Sequence, residues 1–133
     1  MTPPLAYHIG YVDGTSRWTQ NLASAAWALY TPSHEMLHSN DICLGPATNN
    51  QDEYIVVIGL LADAHHHRIR HLSIFLDSQL VVLQLNNVYH VRDPFLFLKY
   101  LQVRLLSRHF DFITFTHIPR QLNQITDNLA NMC

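Results

Sequence analysis

Glycine, cysteine and charge are all scarce in this chain of 133 residues. It holds four glycines and two cysteines, and 14% of its residues are charged. Nothing in it is collagen-like, repetitive or of low complexity. Cys43 and Cys133 lie far apart, which fits neither a disulfide framework nor a zinc site and suits a reducing compartment. No apolar run approaches the length of a membrane span. The start, Met-Thr-Pro-Pro-Leu, lacks the basic region and apolar core of a secretory leader, so the expectation is an intracellular protein, cytoplasmic or nuclear, and not secreted. The formal charge of −2 gives no direct sign of a nucleic-acid binder. What the chain does have is a hydrophobic fraction of 48%, enough for a real core, and a length that fits one domain over residues 1–133.

Patterning sets out the elements in order. Tyr7 to Val12 alternates and reads as a strand, running into Asp13-Gly14. Ala23 to Tyr30 suits strand or helix by propensity; with Glu35 to Leu44 it is read as the rest of a three-stranded antiparallel meander. Thr48-Asn49-Asn50-Gln51 has capping-box spacing and opens a helix to about Ala64. Its apolar face is expected to be Ile55, Ile58, Leu61 and Ala62, widened by Val56, Val57 and Leu60. A polar link, His65 to His71, leads to a short apolar strand, Leu72, Ile74, Phe75 and Leu76, which Asp77 stops. Ser78 to Asn86 reads as a short helix. Asp93-Pro94 starts another, ending near Ser107, whose stripe Phe95, Leu98, Leu101 and Leu105 is expected in the core. Phe112 to Thr116 is strand-like, and from about Asn123 a last helix should bury Leu122, Ile125, Leu129 and Met132. Helical crossovers after the third and fourth strands imply parallel addition of the last two. The expectation is a mixed α/β sheet with three antiparallel strands, then two parallel ones.

Four carboxylates stand at comparable places in this plan. Asp13 ends the first strand and Asp77 the fourth. Glu53 lies early in the first long helix, where the helix dipole favours an anion. Asp127 lies in the last helix, off its apolar stripe. Taken alone, Asp77 reads more readily as a helix cap. Taken together, neighbouring first and fourth strands would set Asp13 beside Asp77, with Glu53 and Asp127 brought above them. Carboxylates that close raise one another's pKa unless divalent cations neutralise them, and an all-oxygen set suits Mg²⁺ or Mn²⁺ over zinc.

Four blocks then stand out: Tyr-Val-Asp13-Gly-Thr; Thr48-Asn-Asn-Gln-Asp-Glu53-Tyr; Phe-Leu-Asp77-Ser-Gln-Leu; and His117-Ile-Pro-Arg-Gln-Leu-Asn123-Gln-Ile-Thr-Asp127-Asn-Leu-Ala. In order and spacing they resemble type 1 ribonuclease H, closest to the plant retrotransposon and archaeal-like domains. The resemblance covers nearly the whole chain. It implies a ribonuclease H-like fold, a five-stranded mixed sheet flanked by helices. It also implies an endonuclease that cuts the RNA strand of an RNA/DNA hybrid by two-metal-ion hydrolysis, leaving 3′-hydroxyl and 5′-phosphate ends. Asp13, Glu53, Asp77 and Asp127 map to the catalytic metal ligands for two Mg²⁺, with Mn²⁺ able to substitute. Asn49 and Asn50 map to the amide pair that reads the minor groove of the hybrid, where the 2′-hydroxyl separates RNA from DNA. Gln79 and Arg120 map to substrate positions, and His117 lies near a histidine that assists product release in some members. A reverse transcriptase domain in the same polyprotein is the partner the resemblance suggests.

The chain departs from that pattern in two places. The loop after Asp13 normally holds several glycines and here has none beyond Gly14. The basic substrate-binding protrusion of some bacterial members is replaced by a short link, Asn87 to Asp93, with one arginine, Arg92. A catalytically weak or inactive ribonuclease H-like domain, acting as a binding or structural module, is therefore the alternative. The intact carboxylate set favours catalysis, because a pure scaffold has no reason to keep four mutually repelling groups. Setting those four aside leaves eight basic residues against six acidic ones, so the net negative charge conceals a cation-assisted nucleic-acid surface. The histidines from His65 to His71 have no zinc-type spacing and read as a solvated link. Trp27 reads as packing.

Overall fold

The computed structural model describes residues 6–13, 23–44 and 49–119, and of Asp13, Ala23, Ser24, Cys43, Leu44 and Asn49 the backbone only. Strands β1 (His8–Asp13), β2 (Ala23–Tyr30) and β3 (Met36–Leu44) are followed by helix α1 (Asn49–His66) and strand β4 (His71–Leu76). Helices α2 (Gln79–Leu85) and α3 (Pro94–Ser107) and strand β5 (Phe112–His117) complete the described elements. The sheet order is β3-β2-β1-β4-β5. β1 pairs antiparallel with β2, and β2 with β3; β4 adds parallel to β1, and β5 parallel to β4. The expected meander and parallel additions are thus both present, including the second strand that propensity left open.

The core lies between the sheet and α1. β4 alternates by side: Leu72, Ile74 and Leu76 are buried, while Phe75 stacks on Tyr11 of β1, ring centroids 5.5 Å apart, on the other face. From α1, Tyr54, Val56, Val57, Leu60, Leu61 and Ala64 are buried. Ile55 and Ile58 are half-buried and Ala62 is exposed, so the buried face is rotated from the expected one. The reason is that α1 is apolar on nearly every side, and its phase is set by what it packs on. Two glycines allow the close approach. A Cβ at Gly10 would meet the Leu60 methyls at 2.9 and 3.0 Å, and one at Gly59 would meet the Trp27 ring at 2.7 to 3.0 Å. The Trp27 indole N–H donates to Asp63 Oδ2 at 2.6 Å, and the same oxygen lies 3.3 Å from His38 Nε2.

α3 starts as the sequence predicts, with Asp93 accepting from the N–H groups of Phe95 and Leu96 and Pro94 in the first turn. The expected core stripe is wrong, however. Phe95, Leu98, Leu101 and Leu105 are all exposed, and the helix buries Leu96 and Val103 instead. Its C-terminal end is fastened beside that of α1, where the His65 and His109 rings stack with centroids 3.9 Å apart. The histidine link proves mostly ordered structure: His65 and His66 close α1 and His71 opens β4. The predicted last helix, with Asn123 and its apolar stripe, lies outside the described residues.

Candidate active site

The parallel register of β1 and β4 builds the site's floor. Val12 pairs with Leu76, both fully buried, so the chain positions that follow, Asp13 and Asp77, come next to each other at the carboxyl edge of two central strands. Adjacent strands are about 4.8 Å apart, so two carboxylates at matched ends are neighbours. β5 extends the same edge: His117 pairs with Leu76, and the Ile118 N–H donates to the Leu76 carbonyl at 2.9 Å. His117 is therefore the end of a strand, exposed, one strand over from Asp77.

Asp77 is not the cap of α2. Ser78 is, its side chain accepting from the Val81 N–H at 3.4 Å. The capping role that Asp77 was weighed against thus falls to its neighbour. Ser78 Oγ also donates to Asn50 Oδ1 at 3.5 Å. That contact sets the first turn of α1 against the end of β4. Glu53 lies three residues beyond Asn50, on the same side of the helix, and is 2% exposed. Gln79 opens α2, two residues after Asp77, and is exposed.

Two buried polar groups here were not singled out from the sequence. Asp52 is completely buried beside Glu53. A buried carboxylate next to a candidate ligand is not readable from spacing, because position 52 is equally a solvated first-turn acid. Tyr54 is also fully buried, and its hydroxyl donates to Gln84 Oε1 at 2.8 Å. Burial, then the Tyr100 hydroxyl, push the Tyr54 phenol well above its ordinary pKa against a smaller downward pull from Arg104, so it stays a neutral donor. The pair ties α1 to α2 directly behind the candidate site.

Asp127 and Arg120 lie outside the described residues, as do Thr48 and the loop after Asp13, and the Asp13 and Asn49 side chains are not described. Among the described residues no three histidine, cysteine or acidic side chains are close enough to hold one ion. The donor chemistry of the described part still fits a hard divalent cation: the candidates are carboxylates with no sulfur or imidazole among them.

The family model described as "Reverse transcriptase-like" matches residues 11–133. The crystal structure of ribonuclease H1 from Halobacterium salinarum superposes with a TM-score of 0.86 at 35% identity, covering 94% of this chain and 95% of that one. The chain belongs to the ribonuclease H family. The N-terminal ribonuclease H domain of a Mycobacterium tuberculosis protein gives a TM-score of 0.88 at 31% identity over 96% of this chain and 92% of that one. A ribonuclease H1 isolated from compost, crystallised with an RNA/DNA hybrid, gives 0.85 at 28% identity over 93% and 94%. Against full-length relatives, this ribonuclease H-family chain is 36% identical to the halobacterial ribonuclease HI over 121 residues, which is 61% of that protein's length. It is 33% identical to the bifunctional mycobacterial protein over 120 residues, 33% of its length. The chain thus spans between a third and two thirds of the curated relatives it matches. No helix among the described residues is long and apolar enough to cross a membrane.

Proposed function

We propose that this chain is an endonuclease that hydrolyses the RNA strand of RNA/DNA hybrids by a two-metal-ion mechanism, leaving 3′-hydroxyl and 5′-phosphate ends. The observation that carries the reading is the parallel β1–β4 register, which ends two central strands on consecutive carboxylate positions, with the Asn50–Ser78 contact holding Glu53's helix turn against the same edge. Membership of the ribonuclease H family and the hybrid-bound relative support the substrate. Asp13, Glu53, Asp77 and Asp127 would hold two Mg²⁺, or Mn²⁺ in their place. Such ions, when bound, neutralise charge developing on the attacking and leaving oxygens and lower the pKa of water.

The chain's own residues supply position. Glu53, buried at the base of α1, keeps a carboxylate where water cannot screen it. Asn49 and Asn50, at the start of α1, offer amides to base edges and 2′-hydroxyls in the minor groove. Gln79 presents its amide from the start of α2. Arg120 would contact phosphate, and His117, exposed beside the carboxylate edge, would assist product departure. On the ground of the family description, a reverse transcriptase domain in the same polyprotein is the partner we propose.

A labelled RNA/DNA hybrid incubated with the protein and Mg²⁺ tests the reading. The unmutated chain should cleave the RNA strand and Asp77→Asn should lose activity by two or more orders of magnitude, roughly the scale of one lost charge-stabilising group. No cleavage by the unmutated chain, or equal cleavage by the variant, refutes catalysis and leaves a binding or structural module. A separate readout follows the metal alone. Mg²⁺ at about 100 times its dissociation constant should stabilise the fold by about 2.7 kcal/mol, raising the melting temperature of the unmutated chain far more than that of Asp77→Asn.

A further inference from the structure

α3 has no polar side. Only Lys99, Gln102, Arg104 and Ser107 interrupt it, apart from the amphipathic Tyr100. Its buried line is Leu96 and Val103. On the opposite side Leu98, Leu101 and Leu105 are 62%, 40% and 59% exposed, flanked by Phe95 at 69% and Phe97 at 43%. A helix apolar all round belongs in a core or an interface. These five side chains present on the order of 500 Å² of apolar surface, toward the upper end of what a monomer exposes in one patch, and patches of that size are often functional. Beside them runs a groove of about 290 Å³ lined by Ile58 of α1 and by Gln102, Leu105 and Leu106, a hole for a side chain from outside.

We propose that this face is a two-fold interface between two copies of the chain, with their α3 helices packed antiparallel. Charge selects the occupant and the direction. Asp93 sits exposed at the N-terminal end of α3 and Arg108 exposed at its C-terminal end. An antiparallel pair brings each Asp93 to the partner's Arg108, while Arg92 at the same end lies with Leu80, Val88, Tyr89 and His90, and it sets opposite dipole ends side by side; a parallel pair would set like dipole ends together. No charge is buried between them, because Arg104 is turned to the Leu85 carbonyl and lies over the Tyr100 ring. A polyanion would need cations that the centre of this face lacks. A two-fold axis near Leu101 lays Leu105 against the partner's Phe97 and Phe95, so one surface complements itself. The patch is somewhat over half of the roughly 800 Å² per partner of a standard interface, which fits a weak, reversible dimer. α3 runs in the same direction as α1, their C-terminal ends joined at His65 and His109, so the antiparallel dimer turns its two candidate active sites to opposite ends and leaves both open.

Sedimentation velocity on the full chain from about 1 to 100 μM, the range of modest interfaces, tests the proposal. The unmutated chain should show a concentration-dependent dimer. The double substitution Leu98→Glu, Leu105→Glu should weaken it by roughly 30-fold or more, with an unchanged melting temperature at dilutions where both proteins are monomers, because both side chains face solvent there. A second arm does not depend on that variant folding. In a Cys43→Ser, Cys133→Ser background, Leu101→Cys should oxidise to an intermolecular disulfide much faster than Phe112→Cys, which is exposed on β5 against His71 and not on α3. A monomer throughout the range, a double variant that dimerises as well as the unmutated chain, or equal oxidation at the two sites overturns it.

Discussion

Replacing Gly59 by alanine sets two effects against each other, and the structure decides between them. On helix propensity alone the change should help, by about 1 kcal/mol. The new methyl, however, would lie 2.7 Å from Trp27 Cη2 and 3.0 Å from Cζ2 and Cζ3. A rigid indole cannot bend away as an aliphatic chain would, and this one is held by its N–H to Asp63 Oδ2 at 2.6 Å, one turn further along the same helix. Either α1 lifts from β2, at about 1–3 kcal/mol for overpacking, or the ring turns and gives up a hydrogen bond to a charged group, about 1.5–3 kcal/mol. The net expectation is a loss of about 1 kcal/mol, a fall of about 4 °C in melting temperature for a chain of this length, read by circular dichroism. Because Glu53 is carried on α1, the proposed hybrid cleavage should fall as well, by up to about 100-fold if the helix shifts by an ångström. Trp27→Phe supplies the control: with the larger ring gone, Gly59→Ala should become neutral or stabilising, a coupling of about 2 kcal/mol in the double-mutant cycle. A stabilising Gly59→Ala in the unmutated background, or additive effects in the cycle, would refute the reasoning.

Two further outcomes follow from buried groups and from protonation. Tyr54→Phe removes the donor to Gln84 Oε1 and leaves a buried amide oxygen unsatisfied, so the urea midpoint should drop by the equivalent of about 1–3 kcal/mol with an unchanged slope. His8, whose pKa is lowered by burial, takes its proton more readily in the unfolded chain than in the folded one. Its contribution is complete above the ordinary histidine pKa of about 6.5 and is lost as pH falls through the window between that value and its folded one; His8→Gln should flatten that part of the stability curve relative to the unmutated chain, and an unchanged slope would contradict the assignment.

Much of this arrangement was legible in the chain because strand ends are marked by abrupt chemistry. Leu72 to Leu76 is an apolar run stopped by a carboxylate, and the same break occurs after Val12, so the two positions could be matched before any pairing was known. Asp93-Pro94 announced α3 for the same reason: capping is a local event written in adjacent residues. Phase was not legible. Phe95, Leu98, Leu101 and Leu105 have helical spacing, yet so do Leu96 and Val103, and a helix with no polar side offers no way to choose between them. Ala62 was placed on the buried face of α1 by the same error. What rotates each helix is the surface it meets, Trp27 and Leu29 for α1 and α1 itself for α3, and that information is distributed over the whole fold. Asp52 shows the limit from the other side: an acid in a first turn is usually wet, and only the folded chain around it makes this one dry.

The pairing of β1 with β4 has a kinetic side. β1 can zip to β2 as soon as the intervening loop closes, a local event. Its other neighbour lies more than sixty residues further along the chain, His8 meeting Leu72. Closing so long a span is costly in entropy and is repaid only when the core forms and buries Val12 of β1 with Leu72, Ile74 and Leu76 of β4. The hairpin half of the sheet is therefore able to form early and carries one carboxylate position without its counterpart. The edge where Asp13 and Asp77 stand together exists only after the chain has been made past β4 and has condensed around α1. A growing or half-folded chain consequently carries one half of the candidate site before the other half has been made.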